Sequence, residues 1–328
     1  MKRVIITDYF NNPDIEQHVF GDQVEVICLN EENEKNFPNT INDADAILVW
    51  HAILTEKTFK KIKNCKTIVR YGVGIDNVDF ISARNFGINF ANTPDYGIHE
   101  VADTTCSMIT ALSRKIFLYN SKCKNYSKGW QENVLNPIKR STEHNLGIIG
   151  AGRIGSAVAL RMKAFGMNVA IYDPYVSNGY EKALGVARFE SLNDILKYSS
   201  IISIHAHPLN KETKGMVNED FINHMNDGTI FINTARGKIV DKLDTLYNGL
   251  ISGKLDSVGL DVLPDEPPLT TEKLIMAWKD TSNPISSRII ITPHTAFYTP
   301  SSWKEMRIKA AQNINRVFKG LKLKNLIN

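Results

Sequence analysis

Three short segments late in the chain each carry a side chain suited to acid–base or anion-binding chemistry: Asn233-Thr-Ala-Arg236-Gly237, Gly259-Leu-Asp261-Val-Leu-Pro-Asp265-Glu266-Pro267 and Thr292-Pro-His294-Thr-Ala296. Taken singly, Arg236, Glu266 and His294 are residue types that more often sit solvated on a surface. Together they match one chemical need. Interconverting a 2-hydroxy acid and a 2-keto acid takes a group that moves the hydroxyl proton, a cation that grips the carboxylate and polarises the reacting oxygen, and a neighbour that holds the proton carrier in register. His294 is the candidate base, and in the reverse direction the acid. Arg236 offers a planar fork of donors suited to a carboxylate, and its fixed charge steadies negative charge developing on the substrate oxygen. Glu266 beside His294 favours the imidazolium and fixes the ring's orientation.

Such chemistry needs a hydride carrier, and the run Asn145-Leu-Gly-Ile-Ile-Gly150-Ala-Gly152-Arg-Ile-Gly155 points to one. Isolated GxGxxG patterns arise by chance in turns, but here an apolar strand leads into the glycines, an amphipathic helix follows through Val158, Leu160 and Phe165, and a second strand, Asn168 to Tyr172, ends on Asp173. Gly150 permits the tight turn, Gly152 lets a pyrophosphate approach the backbone, and Gly155 lets helix and strand pack closely. The phosphates then meet the helix N-terminus, whose free N–H groups favour an anion. A carboxylate at Asp173 accepts from the adenosine ribose hydroxyls and repels a 2′-phosphate, so the expected cofactor is NAD rather than NADP. Arg153, a long side chain at the helix N-terminus, either contacts the pyrophosphate or stays solvated without a role, and Asp261 is placed to meet the nicotinamide carboxamide rather than the substrate.

These side chains lie just past predicted strand ends, the edge at which α/β sheets bind ligands. Short β-branched runs alternate with helix-length segments: Val4 to Thr7, Val24 to Cys28, Ala46 to Val49, Thr67 to Arg70 and Ile88 to Ala91. A second series runs through Leu146 to Ile149, Val169 to Tyr172, Ile201 to His205, Thr229 to Asn233, Ser257 to Leu260 and Ile289 to Thr292. The pattern predicts two α/β units with parallel sheets. Between them, Val101, Thr105, Met108, Ile109, Leu112 and Ile116 repeat at helical spacing and predict one long helix from Gly97 to about Tyr126. A last helical stretch, Ser301 to Phe318, is expected to return to the first unit.

At 328 residues, 43% hydrophobic and 23% charged, the chain has the profile of a two-domain globular protein. Its formal charge of +4 comes from scattered lysines, with no block suited to nucleic acid or to a membrane surface. The apolar run Val4 to Ile6 is too short for a signal-peptide core, and no stretch approaches the roughly 18 apolar residues of a transmembrane helix. A cytoplasmic location is the expectation. Cys28, Cys65, Cys106 and Cys123 show neither CxxC nor zinc-ligand spacing. His205 and His207 alternate at a strand end and face opposite ways without a carboxylate partner, so no metal is expected.

With these residues in hand, the chain resembles the D-isomer-specific 2-hydroxyacid dehydrogenases, most of all the branch containing the C-terminal-binding proteins. The resemblance rests on RYGVGIDNVD (Arg70 to Asp79), the glycine fingerprint with AVALRMKAFGMNVAIYDPYVSNGYEKALG, then NTARGKIVD, GLDVLPDEP and TPHTAFY. It implies a Rossmann nucleotide-binding domain, residues 97–295, inserted in a flavodoxin-like split catalytic domain, residues 1–96 and 296–328, with the active site in the cleft. It implies catalytic roles for Arg236, Glu266 and His294, and a substrate carboxylate held by backbone amides of Val73 and Gly74. His51, Arg70 and Phe297 would border the substrate pocket, although the C-terminal-binding proteins carry tryptophan where this chain has Phe297. Cofactor contacts fall to Gly150, Gly152, Arg153, Ile154, Gly155, Asp173, Thr234, Ala235, Arg236, Asp261 and His294, and loosely to Pro208, in a loop one residue longer than the family's. The expected partner beyond the small acid is a second copy, a homodimer formed through the NAD-binding domains with the linking helix and the arm near Trp130. The alternative is an NAD(H)-sensing scaffold of the C-terminal-binding-protein type, which keeps the same Arg, Glu and His set.

Overall fold

The computed structural model describes residues 1–124, 130–132, 138–206 and 210–327, and the chain divides into two compact units, Met1–Gly97 with Tyr298–Asn328, and Ile98–Phe297. Pro208 and the end of the predicted linking helix at Tyr126 lie outside the described residues. No helix among the described residues is long and apolar enough to cross a membrane.

The first unit is a five-stranded parallel sheet of β1 (Lys2–Ile6), β2 (Val24–Cys28), β3 (Ala46–Val49), β4 (Thr67–Arg70) and β5 (Asn89–Ala91), in the order β2-β1-β3-β4-β5. This is the flavodoxin-like order, reversing direction between β1 and β3. Ile5, Ile47, Val49, Ile68 and Phe90 are buried from these strands among Leu54, Phe59 and Ile62. The helix Pro300–Phe318 belongs to this unit, starting on a Thr299 cap whose Oγ1 accepts from Ser302 N at 3.0 Å. Its Arg307 is buried and donates to both oxygens of the fully buried Glu16, at 2.9 and 2.5 Å, fastening it to the helix Asp14–Phe20.

The second unit holds β6 (Asn145–Ile149), β7 (Asn168–Tyr172), β8 (Ala187–Arg188), β9 (Ile201–Ile204), β10 (Thr229–Asn233), β11 (Leu255–Leu260) and β12 (Ile289–Ile291), all parallel, in the order β12-β11-β10-β9-β6-β7-β8. Read from β8, this is the Rossmann order, with its reversal between β6 and β9. Residue alternation divides the core between the sheet's two faces. Ile149, Ile202, Ile204, Phe231, Val258 and Leu260 pack with the helices Glu219–His224, Leu243–Ser252 and Lys273–Lys279. Leu146, Ile148, Ile171, Ile201, Ile230 and Ile232 pack with the helices Ile98–Ser113 and Arg153–Ala164. Helices on both faces of a parallel sheet explain why its strands read as nearly continuous apolar runs.

The structure corrects one expectation and adds one element. The long linking helix is two, Ile98–Ser113 and Ile116–Cys123, because Lys115 adopts a left-handed conformation (φ 53°) while its ammonium meets Asp256 Oδ1 at 2.7 Å. The short edge strand β8 went unread: two residues are too few for a periodic signal.

Candidate functional site

The dinucleotide fingerprint folds at the carboxyl end of β6, beside the sheet's reversal. Gly150 has φ 94°, and a Cβ there would lie 2.6 Å from the carbonyl carbon of His205, which follows β9. Only glycine meets both demands. A Cβ on Gly155 would lie 2.0 Å from Gly150 O, so the first turn of the helix Arg153–Ala164 can sit this close only without a side chain. At Gly152 a Cβ would meet nothing within 4 Å, which leaves the backbone open on that side. The helix begins there with Arg153 exposed and Ile154 half-buried. Asp173, at the end of β7, accepts from Ala151 N at 2.8 Å through Oδ2 and from Tyr175 N at 2.9 Å through Oδ1. The acid therefore braces the glycine loop as well as facing it. A tight turn, an open backbone, a helix N-terminus and a terminal acid fit an adenine dinucleotide, with the pyrophosphate on the helix and the ribose at Asp173.

His205 stands on the other side of the reversal, its N–H bonded to Ile149 O at 2.7 Å and its Nε2 2.8 Å from Ser203 Oγ. Desolvation pushes its imidazole down to about 3, so it is a neutral ring across the working range. His207 lies outside the described residues.

Farther along the same edge, the turn after β12 and the loops after β10 and β11 bring the acid–base residues together. His294 has φ 54°, unusual for a non-glycine residue. The turn is held by Asp261: Oδ1 accepts from Thr292 Oγ1 at 2.6 Å, Thr295 N at 2.9 Å and Ala296 N at 3.1 Å, and His294 N donates to the Asp261 carbonyl at 2.8 Å. Asp261 is thus a buried clamp on the histidine turn, a role its place in the sequence did not suggest. His294 Nδ1 lies 2.8 Å from Glu266 Oε2, and Glu266 Oε1 accepts from Leu263 N at 2.8 Å. Burial pushes the Glu266 carboxyl up, but the hydrogen bond and charge of His294, the Leu263 N–H and the charge of Arg236 outweigh it and hold the group below the usual carboxylate range. Glu266 is therefore ionised at neutral pH, and its acceptor oxygen fixes the proton on Nδ1 of a neutral His294.

Arg236 is half-buried and donates to its neighbour Ala235 O at 2.8 Å. Its loop is pressed against the Glu266 loop: a Cβ on Gly237 would lie 1.8 Å from Leu263 O, which gives the Arg-Gly pair a steric reason. Thr234 turns its hydroxyl inward to Thr105 Oγ1 at 2.8 Å, so its outward-facing chemistry is backbone, as is that of Ala235. Phe297 closes the segment with its ring edge-on to His294, centroids 6.4 Å apart.

The remaining sequence candidates belong to the first unit. His51 follows β3, and Arg70 ends β4. The turn after Arg70 is fixed by Thr93 Oγ1, which accepts from Gly72 N at 2.6 Å, and by Asn92 Nδ2, which donates to Val73 O at 2.7 Å. The N–H groups of Val73 and Gly74 meet no acceptor among the described residues. Two successive amides without an acceptor, just past a strand end, are groups of the kind that can receive an anion.

Sequence reasoning missed Asp8 and Asn77. Asp8 is buried after β1, and its carboxylate accepts from Trp50 N at 3.1 Å and His51 N at 2.5 Å. Asn77 accepts from Arg70 Nε at 2.9 Å and donates to the carbonyls of Trp50 and Ala52 at 3.0 and 2.9 Å. An acid directly after a strand was the available signal for Asp8. Nothing local marked the partners of either. Asp8, Glu32 and His51 hold ligand-type atoms within 4.8 Å of one another, but both Asp8 oxygens already accept backbone N–H bonds.

Residues 106–296 match the family model described as D-isomer specific 2-hydroxyacid dehydrogenase, NAD binding domain. The chain is 32% identical to C-terminal-binding protein 1 of Caenorhabditis elegans over 303 residues, covering 89% of this chain and 40% of that protein. It is also 32% identical to D-3-phosphoglycerate dehydrogenase of Bacillus subtilis over 334 residues, covering 100% of this chain and 59% of that one. The chain thus spans about half the length of these curated relatives. Among solved structures, D-lactate dehydrogenase from Aquifex aeolicus, complexed with NAD and lactic acid, superposes with a TM-score of 0.83 at 31% identity, over 97% of this chain and 96% of that one.

Proposed function

The chain belongs to the D-isomer-specific 2-hydroxyacid dehydrogenase family, and from that premise we propose that it interconverts a 2-keto acid and the corresponding D-2-hydroxy acid. NAD is the cofactor, and when bound it supplies the hydride in reduction and accepts it in oxidation. The observation that carries the reading is the 2.8 Å pair of His294 Nδ1 and Glu266 Oε2 on a turn clamped by Asp261. In reduction, protonated His294 delivers the Nε2 proton to the keto oxygen as hydride reaches the carbon next to the carboxylate. Solvent then reprotonates the ring. One hydride and one proton are added across the C=O bond, and oxidation reverses both transfers. Glu266 holds the ring and stabilises its charged form. Arg236 polarises the keto oxygen, and the amides of Val73 and Gly74 receive the carboxylate, with His51, Arg70 and Phe297 bordering the remainder. Gly150, Gly152, Arg153, Ile154, Gly155, Asp173, Pro208, Thr234, Ala235, Arg236, Asp261 and His294 are assigned to the cofactor.

The reading gives substrate binding to residues 1–96 with 296–328 and cofactor binding to residues 97–295. It includes a homodimer through the NAD-binding domains, favoured by the exposure of Ile116 (53%), Phe117 (47%) and Trp130 (65%) in that part of the chain. Four free cysteines favour a reducing compartment, and hence the cytoplasm. A second reading, an NAD(H)-sensing scaffold of the C-terminal-binding-protein type, draws on the 32% identity to that relative, matched by an equal identity to a dehydrogenase. An NADH-oxidation assay with a panel of 2-keto acids separates the two. Turnover lowered roughly a hundredfold or more by His294→Ala, in a variant that still binds NADH through the glycine loop and Asp173, is expected of the enzyme. NADH binding without turnover of any keto acid would favour the scaffold.

A further inference from the structure

The turns after β1 and β3 carry a continuous set of aromatic rings. These strands are neighbours in the sheet although not in sequence, so the turns lie where the strand order reverses, the place at which open α/β sheets receive ligands. Tyr9 lies 5.5 Å, centroid to centroid, from both Trp50 and His51, and Trp50 lies 5.1 Å from His51. Trp303, from the helix Pro300–Phe318, stacks behind at 4.2 Å from Trp50 and 5.9 Å from Tyr9, and Tyr298 meets Trp303 edge-on at 6.1 Å. The rear of this assembly is core, with Trp50 5% exposed, but its front is open, with Tyr9 59% and Tyr298 54% exposed.

Two observations separate this edge from an ordinary patch of surface rings. Tyr9 is held in the left-handed region, φ 70°, where glycine would be at ease and a tyrosine is strained. The adjacent Asp8 enforces the arrangement by accepting from the backbone of Trp50 and His51, which locks the β1 turn to the β3 turn. Asn77 then fastens the β3 turn to the β4 loop, through the carbonyls of Trp50 and Ala52 on one side and Arg70 on the other. The turn carrying Val73 and Gly74 and the turns carrying the aromatic rings are thus joined by side-chain hydrogen bonds.

We propose that this edge selects 2-keto acids bearing an aromatic side chain, the arylpyruvates. The inference rests on the reading above, in which Val73 and Gly74 hold the substrate carboxylate. From β4 to β1 is two strand spacings, about 10 Å, a span that a methyl group leaves empty and an aryl ring reaches across to Tyr9 and His51. A second carboxylate on the substrate is disfavoured, because Asp8 and Glu32 flank His51 within 4.8 Å.

Steady-state kinetics with NADH tests this directly. The kcat/KM for phenylpyruvate is expected to exceed those for pyruvate and oxaloacetate by about tenfold or more. Tyr9→Ala should lower the phenylpyruvate-to-pyruvate ratio about tenfold, and Tyr9→Phe should keep it. Because Tyr9 is exposed, its truncation leaves the core intact. Equal or better use of pyruvate or oxaloacetate by the unaltered protein would overturn the selectivity while leaving the dehydrogenase reading standing. So would a Tyr9→Ala variant whose ratio is unchanged. Failure of every keto acid to oxidise NADH would remove the dehydrogenase reading, and this inference with it.

Discussion

At the scale of single residues, the chemistry turns on which groups carry charge when substrate is present. Glu266 is held below the usual carboxylate range, so it is ionised through neutral pH and its support for charged His294 is lost only as acid protonates it. Glu266→Gln removes that support. The pH profiles of reduction and of oxidation should both change with the loss of that charge. Profiles unchanged in both directions would make Glu266 a bystander. Arg236→Lys keeps the charge but not the planar pair of donors, so kcat/KM should fall by more than about tenfold. Near-normal turnover would show that Arg236 has no part in gripping the substrate. The double duty of Asp173 decides how cofactor choice should be tested. Truncation to alanine would also free the Ala151 N–H, whereas Asp173→Asn keeps an acceptor and removes the charge. Asparagine should narrow the preference for NADH over NADPH in a fluorescence titration. Equal affinities in the unaltered protein would remove the electrostatic argument for NAD. His294, Glu266 and Arg236 could be nominated from the sequence because chemistry restricts the residue types that serve, and the structure pairs the first two at 2.8 Å. The clamp at Asp261 was not legible in the sequence, because an acid after a strand gives no sign of which distant backbone groups it will hold.

At the scale of elements, the helix Pro300–Phe318 shows how a distant segment joins a unit already formed of five strands. Its apolar face explains that it docks. Arg307 explains where, since it meets buried Glu16 and the Asn12 carbonyl, lies 4.8 Å from the centre of the Phe10 ring, and shares Glu16 with the Tyr71 hydroxyl at 2.8 Å. Breaking one side of such a pair leaves an uncompensated buried charge. Glu16→Ala should therefore destabilise the protein by about 3 kcal/mol or more in denaturant unfolding, and a Glu16→Gln/Arg307→Met double variant should recover part of the loss. A cost under about 1 kcal/mol for Glu16→Ala would assign the docking to apolar contact alone. Helical periodicity predicted this helix to within a residue of its start, but it ran straight through the break at Lys115. The periodic apolar residues continue across Arg114 and Lys115, and the left-handed turn accompanies an ion pair with Asp256, 141 positions away.

At the scale of the whole molecule, the chain builds two doubly wound sheets. The glycine loop, Asp173 and the histidine turn all belong to residues 98–297. NADH binding should therefore slow amide exchange chiefly in peptides covering β6, the helix Arg153–Ala164, β7 and the turn after β12, with smaller changes in the strands β1 to β5. Uniform protection of both units would contradict a cofactor site confined to the second. The sequence by itself determined the alternation of strands and helices, the parallel sheets and the glycine turn, and it nominated the acid–base set. Each of these is written in periodicity, in glycine spacing or in residue types that few substitutes can replace. Tertiary structure alone decided the partners: Asp261 with the His294 turn, Asp8 with the backbone of His51, Asn77 with the loops after β3 and β4, and the strained Tyr9 among rings from three segments. Those contacts join residues far apart along the chain, and sheet order, which no local pattern encodes, determines which strand ends become neighbours.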